Sequence, residues 1–201
     1  MVDIGQKYDR IAGWWHENHK DSAYGVAQIN RAIGYCRNRG SALDVGCGSG
    51  GRIFRLLEGH GFRISGIDAS AEMIRLAGTH HPNTRLEVAD IRTWNSDKTY
   101  DLIIAWDSIF HLREHEHEAV IRKLHGLLAK DGILIYSLGD AVGNHQAEWH
   151  GDNFPYGSIG IQNNLRLLIH LGSQIRHVEL DQYPQRHAFI ISQAGREADS
   201  V

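Results

Sequence analysis

Cysteine is scarce in this sequence, and its scarcity argues against one class of protein. The 201 residues include only two cysteines, Cys36 and Cys47, whereas small secreted domains carry several that form a disulfide framework. Two cysteines are ordinary in a reducing compartment. We therefore expect both to be small buried residues of a cytoplasmic protein.

Long apolar runs and an excess of cations are also lacking. No stretch approaches the roughly 18 uninterrupted apolar residues of a membrane span, and no apolar segment of a secretory signal follows the opening MVDIGQKYDR. Lysine and arginine total 21 against 24 acidic residues, without a basic run. We therefore expect an unexported protein that binds neither nucleic acid nor membrane. With 42% apolar residues, its length suits one domain.

From about residue 40 onward, short aliphatic runs alternate with helical patterns. This alternation is typical of a parallel sheet with helices on both faces. Strands are predicted at Ala42–Val45, Phe62–Ile67, Arg85–Val88, Tyr100–Ala105 and Gly132–Leu138, and helices between them at Arg52–Glu58, Ser70–Gly78 and His115–Leu128.

Segments on either side complete the predicted domain. Apolar residues recur at helical spacing from Val26 to Cys36, before the first strand. After the fifth strand, residues 139–157 predict a loop, and a helix follows through Ile161–Leu168. Strands are then predicted at Ile175–Leu180 and His187–Ser192, and the short turn between them favours an antiparallel pair. From Gly195 we expect a frayed tail.

A glycine-rich turn follows the first predicted strand and opens a helix. It reads Asp44-Val45-Gly46-Cys47-Gly48-Ser49-Gly50-Gly51. In that position glycines let a ligand approach the backbone, and helix N–H groups face it. The spacing Gly46-x-Gly48-x-x-Gly51 also satisfies the dinucleotide fingerprint, so the turn alone leaves a nicotinamide enzyme as an alternative.

Acidic residues lie at three successive predicted strand ends. Asp44 precedes the first glycine, where a carboxylate suits a cationic ligand group and repels a pyrophosphate. Asp68 follows about twenty residues later, at the usual position of a carboxylate that binds ribose hydroxyls. Asp90 can accept from an adenine amine while Ile91 packs on the ring. The row indicates a nucleoside ligand, although helix capping remains an alternative for Asp44 and Asp68.

The segments Ala42–Gly51, Gly66–Met73, Ala89–Ile91 and Tyr100–Leu112 resemble, in order, the successive motifs of class I methyltransferases. The resemblance covers roughly residues 41–138. It implies S-adenosylmethionine as cofactor and S-adenosylhomocysteine as product. It also implies a three-layer Rossmann-like α/β sandwich, in which a mostly parallel seven-stranded sheet contains an antiparallel C-terminal hairpin strand.

The resemblance also implies a division of the chain and a set of cofactor-binding residues. We expect one methyltransferase domain over 1–201, with a helical lid at 1–40, a cofactor-binding core at 41–138, an acceptor loop at 139–158, and a C-terminal helix and β-hairpin at 159–194. Helix core is an equal alternative for Met73. The cofactor-binding residues are expected to be Asp44, Gly46, Cys47, Gly48, Gly50, Asp68, Ala69, Met73, Asp90, Ile91 and Trp106.

Methyl transfer needs mainly orientation, exclusion of water and, for some acceptors, a base. His111 is the expected general base, because it follows the fourth strand and titrates in a useful range. Helix packing is the alternative role for His111. Asp107 and Ser108 rank below His111 as candidates to position the acceptor, and satisfying backbone groups at a helix entrance is an equal alternative for either. His111, His115 and His117 have a spacing that can bind metal, but nearby acids are explained by the helix dipole, so no metal is expected.

The acceptor is expected to be a small molecule, methylated at oxygen, nitrogen or sulfur. Aromatic residues and histidines in the segment Asn144–Tyr156 suit a partly apolar ligand. Of these we expect His145, Trp149 and Tyr156 to bind the acceptor. Asp181, Tyr183 and His187 either reach the same space or build a turn. The protein is expected to be a monomer or homodimer. An NAD(P)-dependent oxidoreductase and a non-catalytic S-adenosylmethionine-binding module remain the alternatives.

Overall fold

The computed structural model describes residues 4–182 and 184–195. Tyr183 and the tail beyond Gly195 therefore lie outside the described residues. The helices are α1 Ile4–His19, α2 Val26–Tyr35, α3 Gly51–Gly59, α4 Ala71–His80, α5 His117–Gly126 and α6 Gly160–His170. The strands are β1 Ser41–Val45, β2 Arg63–Asp68, β3 Arg85–Val88, β4 Tyr100–Ala105, β5 Leu128–Gly139, β6 Val142–Trp149, β7 Asp152–Ile159, β8 Gln174–Leu180 and β9 His187–Gln193.

Seven strands form one sheet in the order β3-β2-β1-β4-β5-β9-β8. The first five are parallel to one another, and β9 runs antiparallel to both β5 and β8. The predicted fold class, with its antiparallel C-terminal hairpin strand, is therefore confirmed. Because the central strands are parallel, their carboxyl ends meet at one edge, where loops can build a site.

The core lies on both faces of this sheet, since side chains alternate along each strand. In β4, Ile103 and Ala105 pack toward α5 and α6, whereas Leu102 and Ile104 pack toward α2 and α3. All four side chains are completely buried. These two apolar layers fix the sheet and so fix the positions of its strand ends. Among the described residues, no helix is both long and apolar enough to cross a membrane.

The segment predicted as a loop is different in the structure. Residues 142–159 form an antiparallel hairpin, β6 and β7, joined by His150 and Gly151. Both turn residues have positive φ, 50° and 73°, as the common two-residue hairpin turn requires. The prediction gave weight to glycine and histidine content and missed this turn signal.

The predicted helix His115–Leu128 is also shorter in the structure. It begins at His117 and ends at Gly126, and Leu128 already belongs to β5. A short 3-10 turn, Glu114–Glu116, precedes it. Apolar periodicity continued across the boundary, so the pattern alone did not indicate where the helix stops.

Candidate active site

A cavity of about 800 Å³ opens at the carboxyl ends of the parallel strands. This volume is within the range of small-molecule sites. Helix α1 and the β6–β7 hairpin contribute the remaining walls. The expected site residues that line it are Gly46, Cys47, Gly48, Gly50, Asp68, Ala69, Met73, Asp90, Ile91, Trp106, Asp107 and His111.

The glycine turn has a backbone that other residues adopt only with strain. Gly46, Gly48 and Gly50 have φ of 72°, 54° and 77°, in or near the left-handed region. A Cβ on Gly46 would lie 2.2 Å from the Cβ of Ser108. At Gly48 the nearest atom to such a Cβ is 3.5 Å away, on Trp15. The turn is therefore closed on its Ser108 side, whereas Gly48 faces side chains of the cavity lining at van der Waals distance.

Asp68 joins the end of β2 to this turn. Its Oδ2 accepts a hydrogen bond of 2.8 Å from Gly48 N, and its Oδ1 accepts one of 2.8 Å from Ser70 N. Burial raises the pKa of the Asp68 carboxyl to about 6, against the lowering effect of these two bonds. Each carboxylate oxygen can accept more than one hydrogen bond. Asp68 thus keeps capacity for a ligand hydroxyl in the cavity.

Asp44 lies beneath the turn and does not line the cavity. It is 1% exposed, and its Oδ2 has no hydrogen-bond partner among the described residues. Burial raises the pKa of this carboxyl to about 7, and neighbouring Asp68 adds to the effect. A buried polar atom without a partner is uncommon in folded proteins.

Asp90 lines the cavity next to the buried Ile91, but its carboxylate is already engaged. Arg92 donates to both of its oxygens, with Nε distances of 3.0 and 2.9 Å. Burial acts to raise the pKa of Asp90, yet the hydrogen bonds from Arg92 outweigh it and lower that pKa. Arg92 also reaches Glu116 at 3.1 Å. Asp90 and Arg92 thus form a polar rim on this side of the cavity.

Met73 and Trp106 both line the cavity from well-buried positions. They are 1% and 4% exposed. The Trp106 ring packs so closely on Gly25 that a Cβ there would lie 2.6 Å from its Nε1. Both residues therefore belong to the core and also line the cavity. For Met73, the sequence had left these two roles as alternatives.

His111 forms two hydrogen bonds that define its tautomer. Its Nδ1 lies 2.8 Å from the carbonyl oxygen of Pro155, which can only accept, so Nδ1 carries a hydrogen. Its Nε2 lies 2.8 Å from the hydroxyl of Tyr8 and is then the acceptor. Burial lowers the pKa of His111 to about 4, so the ring is neutral near pH 7. The expectation that His111 titrates in a range useful near neutral pH is therefore wrong, because burial disfavours the imidazolium.

Helix α1 and the hairpin are tied together above the cavity. The buried Lys7 Nζ donates to Asp152 Oδ1 at 2.6 Å and to Asn153 O at 2.8 Å. Arg10 makes a second ion pair with Asp152. The Lys7 contacts join residues that are 145 and 146 positions apart in sequence, so a polar clamp holds this roof, made of α1 and the hairpin, in place.

Aromatic rings fill the space beneath the clamp. Tyr8 packs edge-on against Phe154 with centroids 5.4 Å apart, and Trp149 lies 5.8 Å from Trp15. Of these rings, Tyr8 and Trp15 line the cavity itself. They give the roof an apolar inner surface.

The three hairpin residues expected to bind the acceptor lie behind the cavity wall. His145 stacks on Tyr156 at 5.1 Å, and Tyr156 lies 5.1 Å from the His111 ring. Trp149 packs among the roof aromatics. None of the three is part of the cavity lining, and their role in acceptor binding stays a prediction.

Sequence reasoning missed several cavity residues, chiefly on α1. Lys7, Tyr8 and Trp15 line the cavity, and so does Arg52 on α3. A signal was available, because residues 8, 11, 12 and 15 share one helical face that carries Tyr8 and Trp15. Which partner that face would contact could not be read from the spacing.

Known proteins share this architecture. A family model described as a methyltransferase domain matches residues 14–189. A solved S-adenosylmethionine-dependent methyltransferase from Clostridium acetobutylicum superposes with a TM-score of 0.72 at 13% identity, covering 94% of this chain and 100% of that one. At that identity the likeness concerns the fold.

Two curated relatives match in sequence. Trans-aconitate 2-methyltransferase of Delftia acidovorans is 35% identical over 112 residues, which cover 54% of this chain and 40% of the relative. A dTDP-3-amino-3,6-dideoxy-alpha-D-glucopyranose N,N-dimethyltransferase of Streptomyces fradiae is 24% identical over 160 residues, covering 78% of this chain and 58% of the relative. The matched segments thus span less than two thirds of either relative.

Proposed function

The chain belongs to the methyltransferase-domain family, and from that premise we propose that it transfers a methyl group from S-adenosylmethionine to a small-molecule acceptor. The acceptor atom is an oxygen, nitrogen or sulfur. The relatives' names support a small acceptor. One name contains a carboxylic acid, trans-aconitate, and the other contains an amino sugar nucleotide. The carrying observation is the coupling of the glycine turn to Asp68 on the wall of one large cavity.

The residues of this chain fit such a cofactor. Gly48 borders the cavity, where a Cβ would meet only the cavity-lining side chains of Trp15 at 3.5 Å and Met73 at 4.0 Å. Asp68 retains acceptor capacity for ribose hydroxyls. Asp44 lies buried beneath the turn, outside the cavity lining, so any effect on a cationic ligand group would act through its field and not through contact. Ile91 and Met73 supply apolar surface for the adenine side. When bound, the cofactor supplies an electrophilic methyl group on a sulfonium.

Tyr8 and His111 would remove the acceptor's proton together. The lone pair on Nε2 of the neutral His111 ring accepts from the Tyr8 hydroxyl. As the acceptor loses its proton to the Tyr8 oxygen, the Tyr8 hydrogen passes to His111 Nε2, and Pro155 O stabilises the imidazolium through Nδ1. This assignment adds Tyr8 to the expected base, because Nε2 meets Tyr8 directly.

The roof would orient the acceptor and exclude water. Tyr8 and Trp15 present rings to the cavity, and Lys7 holds α1 against the hairpin. Excluding water favours transfer to the acceptor over hydrolysis and strengthens electrostatic interactions inside the site. The same roof must open for exchange of ligands.

We extend the proposal to location and partners. Cys36 and Cys47 are free thiols, which supports a reducing compartment such as the cytoplasm. We propose a monomer or homodimer without a nucleic-acid or membrane partner.

Calorimetric titration with S-adenosylmethionine, S-adenosylhomocysteine, NADH and NADPH tests the proposal. We expect micromolar binding of the two adenosyl ligands alone, with a binding free energy of about −8 kcal/mol. Binding of a nicotinamide alone would refute it and establish the oxidoreductase alternative. Tight adenosyl binding without turnover across a broad acceptor panel would favour the non-catalytic module.

An acceptor found in that panel permits a kinetic test of the base. We expect Tyr8→Phe and His111→Gln each to lower kcat by roughly a hundredfold, within the usual contribution of proton transfer. Tyr35→Phe, on the exposed face of α2, is the matched control. Unchanged kcat in both site variants would remove the pair from the mechanism.

A further inference from the structure

A chain of three charged groups leads from the cavity wall into the C-terminal hairpin. Asp107 Oδ1 lies 2.9 Å from His187 Nε2, and His187 Nδ1 lies 2.5 Å from Asp181 Oδ1. An ionised carboxylate only accepts hydrogen bonds, so both ring nitrogens of His187 must donate. His187 is therefore an imidazolium between two carboxylates, and the three groups together carry one negative charge.

The three groups of this hydrogen-bonded series are mostly buried, and Asp107 is the most exposed of them. The side chains of Asp107, His187 and Asp181 are 19%, 14% and 3% exposed. Burial acts to lower the pKa of His187, but hydrogen bonds and charge from Asp107 and then Asp181 outweigh it and raise that pKa. Asp107, which lines the cavity, is the member of the chain able to meet a ligand.

Hydrogen bonds hold the Asp107 carboxylate in place without occupying all of its acceptor sites. Ser137 Oγ donates to the same Oδ1 at 3.0 Å and accepts from Asp107 N at 2.7 Å. The Tyr24 hydroxyl also lies within hydrogen-bonding reach of this carboxylate. Because two carboxylate oxygens can together accept about four hydrogen bonds, Asp107 keeps acceptor capacity for a ligand in the cavity. Asp107 has a φ of 51°, an uncommon value for a residue other than glycine, which these bonds help to maintain.

Asp107 does not pair directly with the nearest arginine. Within the described part of the chain, its only ion pair is with His187. Arg52 also lines the cavity, and Asp107 is close enough to oppose the burial-driven lowering of the Arg52 pKa. Arg52, however, directs Nε to the carbonyl oxygen of Tyr24 at 2.5 Å. The Asp107 carboxylate is therefore not covered by the Arg52 guanidinium.

We propose that Asp107 selects an acceptor carrying a protonated amine, and that His187 and Asp181 are positioning residues that hold Asp107 charged and oriented. The inference rests on the proposed function, since it assigns Asp107 to the acceptor and not to the cofactor. A carboxylate binds an ammonium through charge-assisted hydrogen bonds. The rings of Tyr8 and Trp15 in the same cavity add surfaces that attract a cation.

Matched amine and alcohol probes test the selection. Protein loaded with S-adenosylhomocysteine is titrated with benzylamine and benzyl alcohol, phenethylamine and phenethyl alcohol, and cyclohexylamine and cyclohexanol. We expect at least one amine to bind about tenfold more tightly than its alcohol, consistent with a charge-assisted bond. Asp107→Asn abolishes this preference and leaves S-adenosylhomocysteine affinity within about twofold. Asp97→Asn, at an exposed position, is the control.

Four results would overturn the inference. They are equal binding of amines and alcohols, no amine binding at all, an amine preference that survives Asp107→Asn, and a loss of S-adenosylhomocysteine affinity in that variant. The last would assign Asp107 to the cofactor's own amine. Failure of the proposed function is distinguished from these, because the wild type would then not bind S-adenosylhomocysteine. The amine titrations are therefore repeated with protein that has not been loaded with S-adenosylhomocysteine.

The positioning role has its own readout in ¹⁵N NMR of the histidine side chains, with His187 assigned by its loss in His187→Gln. Among the described residues, seven titratable groups influence the ring or its partners. Four of them are Asp107 after β4, Asp181 after β8, Tyr24 before α2 and Arg52 on α3. The other three, which interact with Asp107, are Tyr8 on α1, His111 after β4 and Tyr156 on β7. We expect His187 to remain doubly protonated above its ordinary pKa of about 6.5.

Removing one carboxylate tests directly whether Asp181 acts on Asp107 through His187. Asp181→Asn is expected to lower the pKa of His187 and to weaken amine binding several-fold at pH 7. S-adenosylhomocysteine affinity is expected to stay unchanged. A neutral His187 in the wild type at pH 6, or a His187 titration that is identical in Asp181→Asn, would contradict the positioning role.

Discussion

The two ends of the cavity are built in different ways. At the glycine turn, Asp68 binds groups that are 20 and 2 residues away in sequence. At the roof, Tyr8 meets His111 across 103 residues, and Lys7 meets Asp152 across 145. The first end depends on strand-end backbone and the second on side chains from distant segments.

The two ends also differ in how firmly they are held. Central strands β4 and β5 are almost entirely buried, whereas most of β6 is exposed. Segments with few buried contacts open at lower free-energy cost than core strands. We therefore expect the glycine turn to be rigid and the roof to open locally. The predictions below range from the rigid end to the mobile one.

Gly46→Ala should have the largest effect, because it breaks the rigid end. A side chain there is strained by about 1 to 2 kcal/mol, and overpacking against Ser108 adds about 1 to 3 kcal/mol. We expect a loss of roughly 2 to 5 kcal/mol in the free energy of unfolding, measured with urea.

Gly34→Ala is its matched control, because a Cβ at Gly34 in α2 meets nothing within 4 Å. We expect this change to stabilise the protein by about 0.5 to 1 kcal/mol. Equal effects of the two substitutions would contradict the described geometry of the turn.

Asp44→Asn tests the glycine-turn end of the cavity through the pH dependence of the free energy of unfolding. The folded pKa of about 7 lies above the ordinary value, so the folded state holds a proton that the unfolded state has lost. Asp44 therefore destabilises the fold as pH rises toward and through 7, and asparagine does not. Between pH 4 and pH 8 the variant should gain at least about 2 kcal/mol relative to the wild type. Asp97→Asn should show no such trend, and a flat difference for Asp44→Asn would contradict the raised pKa.

Lys7→Met should loosen the roof alone. It removes a buried cation from Asp152, which keeps its pair with Arg10. We expect amide hydrogen exchange in α1 and the hairpin to accelerate about tenfold, with the amides of β4 and β5 unchanged. Lys98→Met, at an exposed position, is the control. Faster exchange throughout the sheet would mean that roof and core open together.

The same contrast explains what the sequence could predict. Strand periodicity and the glycine turn indicated the sheet, its antiparallel strand and the residues Gly46 and Asp68, because each signal lies within a few residues. Tyr8 and Trp15 also lie on one helical face, yet nothing local shows that this face meets His111. The His150-Gly151 turn was readable in principle, and the composition around it obscured it. Contacts such as Asp107 with His187 depend on the completed fold.

The affinity for S-adenosylhomocysteine in Asp68→Asn and Tyr8→Phe, measured by calorimetry, tests the central claim most directly. The account predicts about a tenfold loss in Asp68→Asn, as expected when a buried polar interaction with a ligand is removed. Tyr8→Phe, which changes only the acceptor end, should bind within about twofold of the wild type. Undiminished binding in Asp68→Asn, or an equal loss in both variants, would contradict the division of the cavity into a cofactor end and an acceptor end.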